Sequence, residues 1–233
     1  MNYCTVKLVE EFNAYTGYTQ SDEITLYIPS LTQLRKVELK EETGFEKELR
    51  KDYQHIYNGR VQKIASLFAA YCSVKFNEGL KEVLEAQGLT EKFRHKLNLA
   101  YFDARVYGVE DESEVVNSFL WRVRDPEKNS KNVFAQTYCS HKELQNKTSQ
   151  EQIEHCKNKT GKDWFSETTP GEKFGRFVKR EEVLVQSEGR FQKNGETFRY
   201  NELVPRTRIA VVTVNKADFK EVENIVEGKY LES

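Results

Sequence analysis

The stretch from Ala14 to Ile28, AYTGYTQSDEITLYI, constrains this chain more than any other. Its β-branched and aromatic residues fall into two runs joined through Ser21 and Asp22, residue types that favour tight turns. The spacing therefore predicts a β-hairpin with adjacent carboxylates, Asp22 and Glu23, at its corner. Pro29 and Ser30 end it, since proline has no N–H to give to a sheet ladder.

Helical periodicity frames the hairpin on both sides. Val6, Val9 and Phe12 recur at three-residue spacing, which predicts a short amphipathic helix in the first dozen residues. Ile64, Leu67, Phe68, Tyr71 and Lys75 predict a longer one, with Gly79 as its stop. Between them, residues 32–52 read as an exposed connection with some helix. Leu97 to Val109 is strand-like. Asp111 and Glu114 have the spacing of a capping box and open a helix that Pro126 is expected to kink or divide. Thr148 or Ser149 caps the next helix. Strands are expected at RFVKREEVLVQ and TRIAVVTV, and a last helix from Ala217 to about Val226. The order implies an α+β fold, an antiparallel sheet with helices packed on one face. It divides into a main α+β stretch over residues 1–160 and a C-terminal α+β extension over 161–233 packed on the same domain.

Composition sets limits on partners. A formal net charge of -1 argues against a generic polyanion binder, because non-specific nucleic-acid affinity comes from neutralising many phosphates. Any such contact must use a local basic face. Cys4, Cys72, Cys139 and Cys156 are scattered with no C-x-x-C pair, which fits neither a zinc ribbon nor a disulfide framework and points to a reducing, cytoplasmic setting. No stretch approaches the roughly 18 apolar residues of a membrane span. His55, His95 and His155 have no ligand-spaced partners, and Trp121 and Trp164 are read as packing residues.

A carboxylate at a hairpin corner is exposed and fixed, as a ligand for a hard cation must be. Mg²⁺ takes oxygen ligands, usually one or two carboxylates together with substrate phosphates. By itself, however, SDE at a turn is equally an ordinary solvated corner. Arg60 and Lys63 stand one turn apart near a helix start, where the dipole disfavours cations. They answer either to an anionic partner or to a solvated face.

Further blocks follow in order along the chain: GYTQSDEITLYI, NGRVQKIASLFAAYCSVKFN, FDARVY, VVNSFLWRVRDPEKNS and AQTYCSHKELQNKT. Together they resemble the tRNA-His guanylyltransferase family, and more narrowly its bacterial and phage guanylyltransferase-like branch of 3′-to-5′ polymerases. The resemblance implies a palm-like polymerase fold. It implies that Asp22, the catalytic acid, binds two Mg²⁺ ions with Glu23 beside it. Ser21, Arg60, Lys63, Arg105 and Asn129 would hold the nucleotide. Arg122, Lys128, His141, Lys142 and Lys147 would face RNA. Also implied are ATP and GTP as substrates, tRNA as partner, and self-association as a dimer or tetramer.

Two departures qualify this picture. The family's His-Ile-Asn-Asn motif is replaced by EKNS, Glu127 to Ser130, which favours repair of tRNA 5′ ends over strict tRNA-His selectivity. The family's other metal-binding Asp lies on a strand before the hairpin, in an Asp-Gly-Arg motif that this sequence does not contain there. A separate polypeptide supplying that first palm strand is one expectation, and a start placed too late is another. The competing reading is a tRNA- or nucleotide-binding remnant without turnover.

Overall fold

The computed structural model describes residues 1–29, 55–193, 196–227 and 230–231. Strands β1 (Thr16–Gln20) and β2 (Glu23–Tyr27) pair antiparallel with Gln20 opposite Glu23, so Ser21 and Asp22 form a two-residue loop, as the sequence requires. Ser21 adopts a left-handed φ of 53°. A positive φ at the first loop position matches the twist of the flanking strands. The Thr19 hydroxyl donates across the turn to the Glu23 carbonyl at 3.0 Å, fixing the corner from the adjacent position.

Two long strands complete the sheet. β3 (Arg176–Lys193) pairs with β1 over Arg176–Lys179 and with β4 (Glu196–Val212) along its whole length, giving the order β2-β1-β3-β4. The stretch after residue 161 thus supplies two strands of the same sheet. The expected α+β class with a palm-like antiparallel sheet holds. Helices cover both faces of the sheet, because successive residues of a strand point to opposite sides and both sides are apolar here. Tyr18 and Phe177 pack against helix α3 (Glu112–Tyr138) through Val116, Phe119 and Val123, and against α5 (Phe219–Val226) through Val222 and Val226. On the other side, Val178 packs with Val9 of helix α1 (Asn2–Glu11). There α1 also meets α2 (Val61–Ala86) around Cys4, Leu8, Phe12 and Cys72. The two thiols Cys4 and Cys72 lie 3.5 Å apart, so residues scattered in sequence meet in one apolar cluster.

Two elements depart from expectation. The helix predicted to stop at Gly79 runs on to Ala86 and ends before Gly88, which takes the positive φ of 65° that a terminator needs. Gly79 serves packing instead: a Cβ there would lie 2.7 Å from Cδ1 of Tyr3, so its absence lets α1 and α2 approach closely. Leu97–Val109 forms no ladder among the described residues, and it begins with a turn in which Asn98 takes a left-handed φ of 58°. Side chains of α2 stand in for a neighbouring strand: the Asn77 amide pairs with both the N–H and the carbonyl of Ala100, and Ser73 Oγ accepts from the Phe102 N–H. The expected connection over residues 32–52 lies outside the described residues. Helix α4 (Ser149–Thr160) is capped as expected by Thr148 with Glu151.

Pro126 neither divides nor ends α3. Without an N–H, it leaves the Arg122 carbonyl one turn earlier without its helical donor. The Tyr18 hydroxyl takes that place, 3.1 Å from the Arg122 oxygen and 2.9 Å from the Phe174 oxygen, sharing its one proton between them. Gly175 makes room for the ring at φ 77°, ψ −169°, a region open essentially to glycine. Two buried cations of β3 fasten the helices in a related way. Lys179 Nζ donates to the carbonyls of Val226 and Glu227 at the end of α5 and to Thr16 Oγ1, while Arg180 donates to those of Val9 in the last turn of α1 and of Ala14 just beyond it. Arg180 thereby places positive charge at the negative end of α1.

Two outcomes follow. Tyr18→Phe is expected to cost about 1 kcal/mol in urea unfolding, and roughly half of that in a Pro126→Ala background, where the helix satisfies the Arg122 carbonyl itself. Equal costs in both backgrounds would contradict the substitution of hydroxyl for N–H. For Lys179, burial and then the neighbouring Arg180 charge push the ammonium down to about 7. Between about 7 and the ordinary lysine value of about 10.4, the unfolded chain binds a proton that the folded chain lacks. Stability should therefore rise with pH through that window and lose this dependence below it. Urea midpoints at pH 7 and 9 test this, with Lys179→Met removing the difference.

Candidate functional site

The hairpin corner faces one side of α3 across a cleft of about 290 Å³. Gln20, Ser21, Asp22, Glu23 and Thr25 contribute from the hairpin, and Arg122, Asp125, Pro126 and Asn129 from the helix. The helical residues recur at three- and four-residue intervals and so share one face. Tyr18 forms the floor, held protonated well above the ordinary tyrosine range by burial, with Glu23 and Asp125 adding to the effect and Arg122 opposing it.

Arg122 Nη1 donates to Glu23 Oε2 at 2.6 Å, joining helix and corner directly. Both side chains are well exposed, at 46% and 63%, so solvent leaves the pair worth no more than about 1 kcal/mol. Its role is orientation: it points a planar, multi-donor cation into the cleft. Asp22 is exposed, and no described residue hydrogen-bonds to its carboxylate or pairs with it.

Three carboxylates, Asp22, Glu23 and Asp125, thus face a single guanidinium. By formal charge the cleft is acidic, and a bare triphosphate would be repelled unless a cation came with it. Among the described residues no group of three or more His, Cys, Asp or Glu side chains gathers closely enough to hold a metal ion alone. A partnerless carboxylate beside space for phosphate oxygens nevertheless fits the way Mg²⁺ is usually held, by one or two acids with substrate oxygens completing the shell.

Of the residues singled out from sequence, Ser21, Asp22, Glu23, Arg122 and Asn129 meet at this cleft. Arg60, Lys63 and Arg105 do not line it. Arg60 Nε reaches the Tyr57 carbonyl at 3.4 Å, Lys63 Nζ stands 5.1 Å over the Tyr57 ring, and Arg105 pairs with Asp103 at 3.4 Å. Their segments carry Tyr57 and Phe102, which like Ile24 of the hairpin pack against the Cys4, Leu8, Phe12 and Cys72 cluster, on the side of the sheet away from α3. Lys128, His141 and Lys142 are exposed on or just beyond α3, away from the cleft, and Lys147 donates to the Glu143 carbonyl at 2.7 Å. Asp125 was missed by sequence reasoning. Its signal was present: it lies three residues beyond Arg122 and four before Asn129, both of which were named. Trp164 is buried as expected, but Trp121 is 71% exposed, because its position on α3 faces neither the sheet nor α4.

Comparison with known proteins bears on the family and the fold. The model of the family described as Thg1: tRNAHis guanylyltransferase matches residues 1–110. An uncharacterized protein, R259, of Acanthamoeba polyphaga mimivirus is 32% identical over 146 residues, 59% of this chain and 44% of that protein. A bacterial tRNA(HIS) guanylyltransferase (Thg1)-like protein in complex with ATP is 28% identical with a TM-score of 0.57, over 76% of this chain and 65% of that one. A bacterial protein of the same description in complex with GTP is 22% identical with a TM-score of 0.55, over 97% and 75%. The chain therefore spans under half of the viral relative and about two thirds of the ATP-bound one. No described helix is long and apolar enough to cross a membrane. Over its first 110 residues the chain carries the pattern of the tRNAHis guanylyltransferase family, and its fold is that of bacterial guanylyltransferase-like proteins.

Proposed function

We propose that this chain is a guanylyltransferase-like nucleotidyltransferase that adds nucleotides in the 3′-to-5′ direction to tRNA 5′ ends, with ATP and GTP as nucleotide substrates and Mg²⁺ as the required ion. One observation carries the reading: Asp22, whose carboxylate has no partner among the described residues, stands in one cleft with Arg122 and Asn129, on a fold similar to solved proteins captured with ATP and GTP.

In the reaction, the 3′-hydroxyl of an incoming nucleotide attacks the activated 5′ phosphorus of the RNA. A new phosphodiester forms, the hydroxyl proton is lost to solvent, and adenylate or pyrophosphate leaves. Mg²⁺, when bound, supplies neutralisation of charge on the phosphate oxygens. Asp22 is the side chain that would hold it. Arg122 offers its remaining donors to phosphate oxygens while Glu23 fixes its orientation. The Asn129 amide gives a neutral donor that tolerates the acidic surroundings. Tyr18, kept neutral, adds no further negative charge to the floor of the cleft. Arg60, Lys63 and Arg105, outside the cleft, would serve the phosphates of a second nucleotide or of the RNA end. Lys128, His141, Lys142 and Lys147 extend that contact along the helical side, and the working form is a homo-oligomer. Catalysis here is alignment and charge neutralisation, without a side-chain general base.

The test is incubation of the purified chain with 5′-truncated tRNA, ATP, GTP and Mg²⁺, with and without a second polypeptide carrying an Asp-Gly-Arg strand. Nucleotide addition is expected, abolished by chelation. Asp22→Ala should lower its rate roughly a thousandfold or more, by analogy with dissected catalytic sites. Arg122→Lys should recover only part of what Arg122→Ala loses, since a point charge does not replace a planar fork. Addition that survives Asp22→Ala contradicts the proposal. Tight tRNA binding with no addition under either condition would leave a binding module.

A further inference from the structure

Beyond the corner cleft, α3 borders a second cavity of about 340 Å³, lined by Tyr107, Glu114, Asn117, Ser118, Trp121 and Arg122. Its two rings are among the most exposed aromatics of the chain, Tyr107 at 66% and Trp121 at 71%. The helical residues 114, 117, 118, 121 and 122 form one continuous face, and Tyr107 enters from the extended segment before it. Among the described residues no stacked or edge contact joins the two rings, and both line the cavity.

We propose that this cavity is a nucleobase-binding site, in which an unpaired base stacks on Trp121 with Tyr107 closing over it. Three features select a base over another planar group. Stacking of a base on an exposed aromatic needs no particular sequence, because every base has a π-face. The polar lining offers edge recognition: the Asn117 amide both donates and accepts, and the Glu114 carboxylate accepts from a base edge that presents N–H groups. Its own backbone N–H is already engaged by the Asp111 side chain, so the capped helix start holds Glu114 in place. Arg122 is shared with the corner cleft, so a base in this cavity has its phosphate at the guanidinium that also faces Asp22.

The inference rests on the functional reading for the source of the base, either a free nucleotide or the unpaired end of an RNA, but not for the stacking itself. Fluorescence separates the two. Trp164 is buried and Trp121 exposed, so added ligand should quench the emission of Trp121. Guanosine monophosphate, GTP, an RNA hairpin with one unpaired 5′ nucleotide, the same hairpin with a blunt end, and ribose 5-phosphate are titrated in turn. Saturable quenching by base-bearing ligands, none by ribose 5-phosphate, and loss of the signal in Trp121→Phe are expected. Direct binding should weaken roughly five- to a hundredfold in Trp121→Ala. Preference for the unpaired over the blunt hairpin identifies an RNA end as the source; equal response to the two hairpins with saturation by GTP identifies a free nucleotide. Absence of saturable quenching, equal quenching by ribose 5-phosphate, or unchanged binding in Trp121→Ala overturns the proposal. Quenching by guanosine monophosphate should persist in Asp22→Ala. If that variant still adds nucleotides, the functional reading falls while the base site stands.

Discussion

The structure turns on one missing hydrogen. Pro126 sits inside a long helix and cannot donate to the carbonyl of Arg122, and the Tyr18 hydroxyl from the hairpin fills the vacancy. Strand and helix are thereby locked in register at the level of the cleft. The residue whose carbonyl is rescued is also the one whose guanidinium enters the site. Every polar group of the corner is positioned through that contact or beside it: Glu23 against Arg122, Asp125 and Asn129 on the same helical face, Asp22 on the turn two residues past β1. The hydrophobic packing of Tyr18 on Phe119 and Phe177 supplies the energy, and the hydroxyl supplies the direction.

The site that results is acidic and open. Its acids outnumber its single cation, which makes it a poor receptor for naked phosphate and a good one for phosphate accompanied by a divalent ion. The surface charge pattern agrees, since the near-zero net charge of the chain offers no general attraction for RNA. Affinity for a nucleic acid must come from short-range features. The cations on the far side of the hairpin and the exposed rings along α3 are such features, and the fold brings both to the two flanks of one corner.

Local sequence signals carried much of this. Turn chemistry at Ser21 and Asp22 located the hairpin, apolar periodicity located α1 and α2, and Asp111 with Glu114 located the start of α3. What was illegible depended on partners distant in the chain. Gly79 read as a stop because glycine usually disfavours helix, yet its value lies in contact with Tyr3. The segment from Leu97 to Val109 has strand composition, but its backbone at Ala100 and Phe102 is met by Asn77 and Ser73 of a helix. Pro126 read as a break because nothing nearby announces that a tyrosine more than a hundred residues earlier completes the helix. Trp121 read as core because aromatic residues usually are, and only the orientation of α3 shows it facing solvent. Asp125 was overlooked for a different reason: no motif marks it, and its meaning comes from sharing a helical stripe with Arg122 and Asn129.

A structure of the chain with GTP and Mg²⁺ bound would test most directly whether corner and helix act as one receptor. The account places the triphosphate between Asp22 and Arg122, with the ion on the Asp22 carboxylate. A triphosphate held only by Arg60, Lys63 and Arg105, with Asp22 left in solvent and Arg122 still engaged by Glu23 alone, would contradict it.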